Sequence, residues 1–155
     1  MFNRLKSLFK GPEPTGPPQT IRVFQTSDPV LTKSGVTVDQ DGWLIESQEN
    51  QSVRLFEVQD PNVEKCMVTY KARLKTEDMK GKAYLEMWVR LPGKGEFFSK
   101  GLNQTVNGTT DWVSCEIPFY LKQGQRPDLI KLNLAVEGAG KIWIKDMEVL
   151  QTPLK

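Results

Sequence analysis

Histidine is absent from all 155 residues, and that absence removes imidazole as a general base, a pH switch and a metal ligand. Cysteine is scarce. Cys66 and Cys115 stand far apart with no CxxC spacing, so neither a zinc site nor a thioredoxin-like motif can be assembled from them. Both share the phase of apolar neighbours, Val68 and Tyr70 for the first, Val113 and Ile117 for the second. They read as two buried free thiols, with a disulfide as the alternative. A large charge of one sign is also missing: 21 Lys and Arg against 19 Asp and Glu leave +2, no overall field to recruit nucleic acid. No apolar run approaches the roughly 20 residues that span a bilayer as a helix. The opening residues fail as a secretory signal, because Arg4, Lys6 and Lys10 interrupt the apolar stretch and no small-residue cleavage site follows. A cytoplasmic location is the resulting expectation, and sparse cysteine usage agrees with it.

From Thr20 onward, short alternating runs are present in quantity: TIRVFQT, GVTVDQDGWLIES, SVRLFEV, CMVTYKARLK, KAYLEMWVRL, EFFSKGL, DWVSCEIPFYL, LIKLNLAVE and KIWIKDMEVL. Turn residues separate them, at Asp41-Gly42, Asp60-Pro61-Asn62, Lys80-Gly81, Pro92-Gly93, Asn107-Gly108, Gln123-Gly124 and Gly138-Ala139-Gly140. Strands at this spacing, with no 3.6-residue pattern between them, predict an all-β antiparallel sandwich over residues 20–152. Residues 1–10 predict a short amphipathic helix, 11–19 a Pro/Gly linker and 153–155 a C-terminal tail.

The alternation assigns faces. In YLEMWVR, Leu85, Met87 and Val89 point inward and Tyr84, Glu86, Trp88 and Arg90 outward. In LIKLNLAVE, Ile130, Leu132, Leu134 and Val136 form the core set, leaving Lys131, Asn133, Ala135 and Glu137 on the other face. Thr69, Lys71 and Arg73 are the polar partners in CMVTYKARLK, so three strands are expected to share one wide polar surface that carries aromatics. Such a surface suits a sugar, whose apolar face stacks on Trp or Tyr while its hydroxyls meet polar side chains. The candidate ligand-binding residues are Tyr84, Glu86, Trp88, Arg90, Lys131 and Asn133, with Trp88 as the stacking platform. Cross-strand pairs that merely stabilise the sheet would have the same composition. Trp43, Trp112 and Trp143 read as packing residues.

The second half, "YKARLKTEDMKGKAYLEMWVR … VNGTTDWVSCEIPFYL … LIKLNLAVEGAGKIWIKDMEVL", resembles the galactose-binding-like jelly rolls related to bacterial carbohydrate-binding modules. The pieces that carry the likeness are Gly108-Thr109-Thr110-Asp111-Trp112 before a long strand and the closing strand from Gly138 to Leu150, over roughly residues 66 to 150. The resemblance implies a jelly-roll framework. It also implies a structural calcium between the first and last strands, with Asp146 and Asp28 as candidate ligands. Lys145 stands where the family often has a second aspartate, and an ammonium there opposes a dication. No catalytic metal or cofactor is expected.

An enzyme on this framework would be a glycosidase using two carboxylates, for which Glu86, Glu116 and Glu137 have outward phase. No acidic cluster crowds carboxylates on one strand, and serine and cysteine have no imidazole partner. A non-catalytic module is therefore expected. Glu86 and Glu137 among the basic and aromatic residues oppose nucleic acid. Two readings remain open: a carbohydrate-binding module, and a protein-interaction, scaffold or cargo domain.

The amino-terminal segment bears on that choice. On a helix, Phe2, Leu5, Leu8 and Phe9 fall within an arc of about 120°, with Arg4, Lys6, Ser7 and Lys10 around the remainder. Ten residues fold only against a surface. Peripheral contact with an anionic membrane and docking to a partner protein both fit, the latter resembling cargo tags that carry bacterial proteins into protein compartments. An inert end is the third possibility.

Overall fold

The computed structural model describes residues 12–155, and the helix expected over 1–10 lies outside the described residues. The described chain is all-β: β1 (Gln19–Val23), β2 (Val36–Asp39), β3 (Gly42–Ser47), β4 (Gln51–Gln59), β5 (Cys66–Leu91), β6 (Gly95–Lys100), β7 (Val106–Tyr120) and β8 (Leu129–Pro153). Every strand pairing is antiparallel. The turn read at Asp41-Gly42 falls one residue earlier, on Gln40 and Asp41. Both have positive φ, and Gly42 opens β3 paired with Asp39.

Two strands organise the rest. β5 and β8 run 26 and 25 residues and pair along nearly their whole length, from Cys66 opposite Pro153 to Arg90 opposite Leu129. Lys80-Gly81 and Gly138-Ala139-Gly140, expected as breaks between separate strands, lie inside these two, and Asn107-Gly108 lies inside β7. Gly81 and Gly138 face each other in register with φ of 103° and 106°. A Cβ on Gly81 would come within 1.8 Å of the Glu137 carbonyl oxygen, and one on Gly138 equally close to that of Lys80. Positive φ and the missing side chains let both strands bend together without breaking their ladder.

The bend makes two layers from one sheet. β4, the first half of β8, the second half of β5 and β6 form one. In the other, β1 and the β2–β3 hairpin flank the second half of β8, and β7 flanks the first half of β5. The layers meet face to face. Trp43 of β3 packs edge-on to Phe56 of β4 at 5.2 Å, and Phe24, beyond β1, stacks on Phe56 at 4.4 Å. The Tyr70 hydroxyl of β5 crosses to donate to the Asn133 carbonyl of β8 at 3.2 Å. Burial holds that hydroxyl far above its ordinary pKa. One hydrophobic core fills the space between, with Leu55, Leu74, Leu85, Met87, Ile130, Leu132 and Leu134 fully enclosed. The inward sets read from YLEMWVR and LIKLNLAVE are in it. Cys66 and Cys115 are buried free thiols, and desolvation pushes Cys66 up to about 11.

Gln19, placed in the expected Pro/Gly linker, opens β1, and residues 13–15 of that linker lie against the expected tail. Pro14 bridges Leu154, the Thr15 N–H donates to the Pro153 carbonyl at 2.9 Å, and the Lys155 N–H donates to that of Glu13 at 2.9 Å. Proline lacks a donor but tolerates an extended edge, so Glu13 and Thr15 supply the bonds between prolines.

Candidate functional site

On the outer face of the β4–β8–β5–β6 layer, register lines up side chains in rows. Lys100, Glu86, Asn133 and Arg54 form one row, and Phe98, Trp88, Lys131 and Glu57 the next. Between these rows lies a cleft of about 320 Å³, lined by Ser52, Arg54, Glu86, Trp88, Glu96, Lys131 and Asn133. Four of the six residues proposed from sequence therefore meet in one place.

The floor is polar and recessed. Glu86 and Asn133 are 5% and 4% exposed, although their phase points them away from the core. Glu86 Oε1 accepts from Ser52 Oγ at 2.5 Å and from Asn133 Nδ2 at 2.9 Å, and Lys100 Nζ lies 3.9 Å from Oε2. Burial pushes the Glu86 carboxyl up. The hydrogen bonds from Asn133 and Ser52, with Trp88 beside the carboxylate and the Lys100 charge, outweigh that and hold it below the usual carboxylate range. Among the described residues, the buried Asn133 Oδ1 has no hydrogen-bond partner. At the rim, Lys131 Nζ meets Glu96 Oε1 at 2.7 Å and Arg54 meets Glu57 at 3.1 Å. One wall is Trp88, against which Phe98 tilts from outside at 5.3 Å between centroids, more than half exposed beneath the Lys100 ammonium.

The remaining two candidates stand outside the cleft. Tyr84 is buried, and its hydroxyl donates to Glu137 at 3.0 Å; burial, then that bond, raises its pKa. Arg90 makes a bidentate pair with Asp128 at 2.9 and 3.3 Å. It lines a neighbouring hollow of about 400 Å³ with Glu57, Gln59, Asp60, Asp128 and Leu129. Ser52, Arg54, Glu96 and Phe98 were missed. Their strands, SVRLFEV and EFFSKGL, were visible, but their partners on β8 and β5 are set only by the register.

Lys71 and Arg73 do not join this surface, because the bend in β5 carries them to the opposite layer, and Thr69 is buried. There Lys71 pairs with Glu148 at 3.9 Å and Arg73 with Asp146 at 4.0 Å, beside a hollow of about 330 Å³. Asp28 faces Arg22 at 3.9 Å and accepts from the Gln25 N–H. With each carboxylate facing a guanidinium, Asp28 and Asp146 do not fit a calcium ion. Glu116 is on β7 in the opposite layer, so the three outward glutamates do not converge. Trp43 is in the core. Trp143 is buried with its indole N–H on Asp39 at 2.7 Å, and Trp112 lies under the Lys145 ammonium at 4.1 Å.

No protein-family model and no curated protein matches the sequence. Solved structures do match the fold. The CBM22-1 xylan-binding domain from Paenibacillus barcinonensis Xyn10C is 13% identical, with a TM-score of 0.57 over 88% of this chain and 97% of that one. A variant of the family 29 carbohydrate-binding module CBM29-2 is 15% identical, with a TM-score of 0.53 over 89% and 88%. The CBM1 module of BiXyn10A is 12% identical, with a TM-score of 0.52 over 84% and 97%. The described chain thus has the fold of carbohydrate-binding modules.

Proposed function

We propose that this protein is a non-catalytic carbohydrate-binding module of the jelly-roll type that takes glycan in the cleft between β4, β8, β5 and β6. The carrying observation is the half-buried Trp88 ring, backed by the exposed Phe98, beside a recessed floor of Glu86 and Asn133 on which Ser52 donates to Glu86. A pyranose ring offers an apolar face to such a wall and hydroxyls to such a floor. The hollow at Arg90 and Asp128 prolongs the cleft beyond the Lys131–Glu57 row, which favours a chain of sugars over a single terminal unit. A glycosidase acid needs a raised pKa, whereas Glu86 is held down as a carboxylate. Calorimetry against xylan, glucomannan and β-glucan oligosaccharides tests the proposal. Trp88→Ala should weaken binding at least about thirty-fold, equivalent to about 2 kcal/mol, without loss of fold. Unchanged binding, or no binding by the unaltered protein, would end it.

The amphipathic stripe of residues 1–10 supports a second element, a peripheral tether that holds the module at an anionic membrane. Flotation with anionic and neutral liposomes tests it, comparing the full chain with one that begins at Pro12 and so keeps the Glu13 and Thr15 bonds to the C-terminus. Equal flotation of both chains would remove the tether.

A further inference from the structure

We infer that the cleft reads its ligand through hydrogen-bond donors, with Asn133 Oδ1 as the deciding acceptor, so that neutral glycan is taken and glycan bearing uronate is refused. The inference deepens the glycan-binding proposal and rests on it. The Asn133 amide has a fixed orientation, because Nδ2 donates to Glu86 Oε1 at 2.9 Å and the flipped amide would set an oxygen against a carboxylate. That leaves Oδ1 as a buried acceptor with no donor among the described residues. An unpaired buried acceptor is costly, and a sugar hydroxyl supplies the missing donor.

The cations around the cleft are already spoken for. Lys131 is held by Glu96 at 2.7 Å, Arg54 by Glu57 at 3.1 Å, and Lys100 stands 3.9 Å from the ionised Glu86. A ligand carboxylate would have to displace one of these partners, and it would then sit near Glu86 and the Asn133 oxygen with no proton to offer either. A hydroxyl meets neither obstacle. It needs no free cation: it can reach Oδ1 from the cleft that Asn133 lines while Arg54, directly opposite in the β4–β8 register, keeps its pair with Glu57.

The test is calorimetry of the full chain against xylohexaose, mannohexaose and cellohexaose, with a galacturonate hexamer as the acidic probe. The expected result is binding of at least one neutral hexasaccharide about ten-fold or more tighter than the acidic one. Asn133→Leu, checked for folding by its thermal melt, should lose about ten-fold on the neutral probe. Equal or tighter binding of the galacturonate overturns the inference, as does a folded Asn133→Leu that binds like the unaltered protein. If Asn133→Leu does not fold, the ratio between neutral and acidic probes on the unaltered protein decides. Neutral binding that Trp88→Ala abolishes and Asn133→Leu leaves intact would sink this inference and keep the glycan-binding proposal. Failure to bind any hexasaccharide would sink both.

Discussion

The two outer faces of the sandwich are cut from the same two strands, β5 and β8, yet they are built differently. Near β7, outward residues pair as exposed ions, Lys71 with Glu148 and Arg73 with Asp146, at 3.9 and 4.0 Å. Near β6, outward residues sink into a hydrogen-bonded floor, where Glu86 and Asn133 are almost as enclosed as the core. Outward phase therefore does not equal exposure. On the second face, Arg54 and Ser52 from β4 and Glu96 from β6 stand around the central strands and make them the bottom of a cleft. Water still reaches the ion pairs of the first face and screens them, whereas groups on the second face must satisfy one another.

The largest expected effect comes from breaking what creates two faces at all. Gly138→Ala places a methyl 1.8 Å from the Lys80 carbonyl oxygen at a φ of 106°. It should cost about 3 kcal/mol or more, read from urea denaturation, because backbone rather than a movable side chain blocks it. A cost below about 1 kcal/mol would mean that the paired bend relaxes easily.

Within the cleft face, Glu86→Ala strands the Ser52 hydroxyl and the Asn133 amide. A loss of about 2–3 kcal/mol is expected in the same assay. The contribution of Glu86 should also depend on pH with a definite sign. Its folded pKa lies below its unfolded one, so the stabilisation is present above about pH 4.3 and is lost as pH falls through the folded value. The melting-temperature gap between the unaltered protein and Glu86→Gln should accordingly narrow on acidification below that point. A gap that widened would contradict the carboxylate assignment.

The smallest effect is expected on the other face. Glu148→Ala removes one member of a half-exposed pair and should change stability by less than about 0.5 kcal/mol. If Glu148→Ala and Glu86→Ala cost the same, the contrast between the faces has no energetic content.

Much of this was legible in the residues. The 2-residue alternation in YLEMWVR and LIKLNLAVE placed Leu85, Met87, Ile130, Leu132 and Leu134 inside, and the structure has them there. It brought Glu86, Trp88, Lys131 and Asn133 to one face, since residues of one phase on two paired strands must share a side. Tyr84 and Arg90 have the same phase but stand one row beyond the cleft at either end, opposite Ala135 and Leu129, where they bind Glu137 and Asp128. Glycine was the other source of error. Gly81 and Gly138 carry the same local signal whether the chain turns back or bends onward, and only the partner strand distinguishes the two.

What the sequence determined by itself is the strand content, the inward set and the chemistry on offer: no imidazole, two cysteines without CxxC spacing, and aromatics interleaved with charge on outward positions. These follow from local steric and hydrophobic periodicity, which each segment carries alone. Tertiary structure alone decided that β5 and β8 serve both layers, that Thr69, Lys71 and Arg73 part company with Trp88, that Ser52, Arg54 and Glu96 complete the cleft, and that Phe98 backs Trp88. Those are facts of register between segments distant in the chain, and register is fixed by the packing of the whole core rather than by any stretch of residues within it.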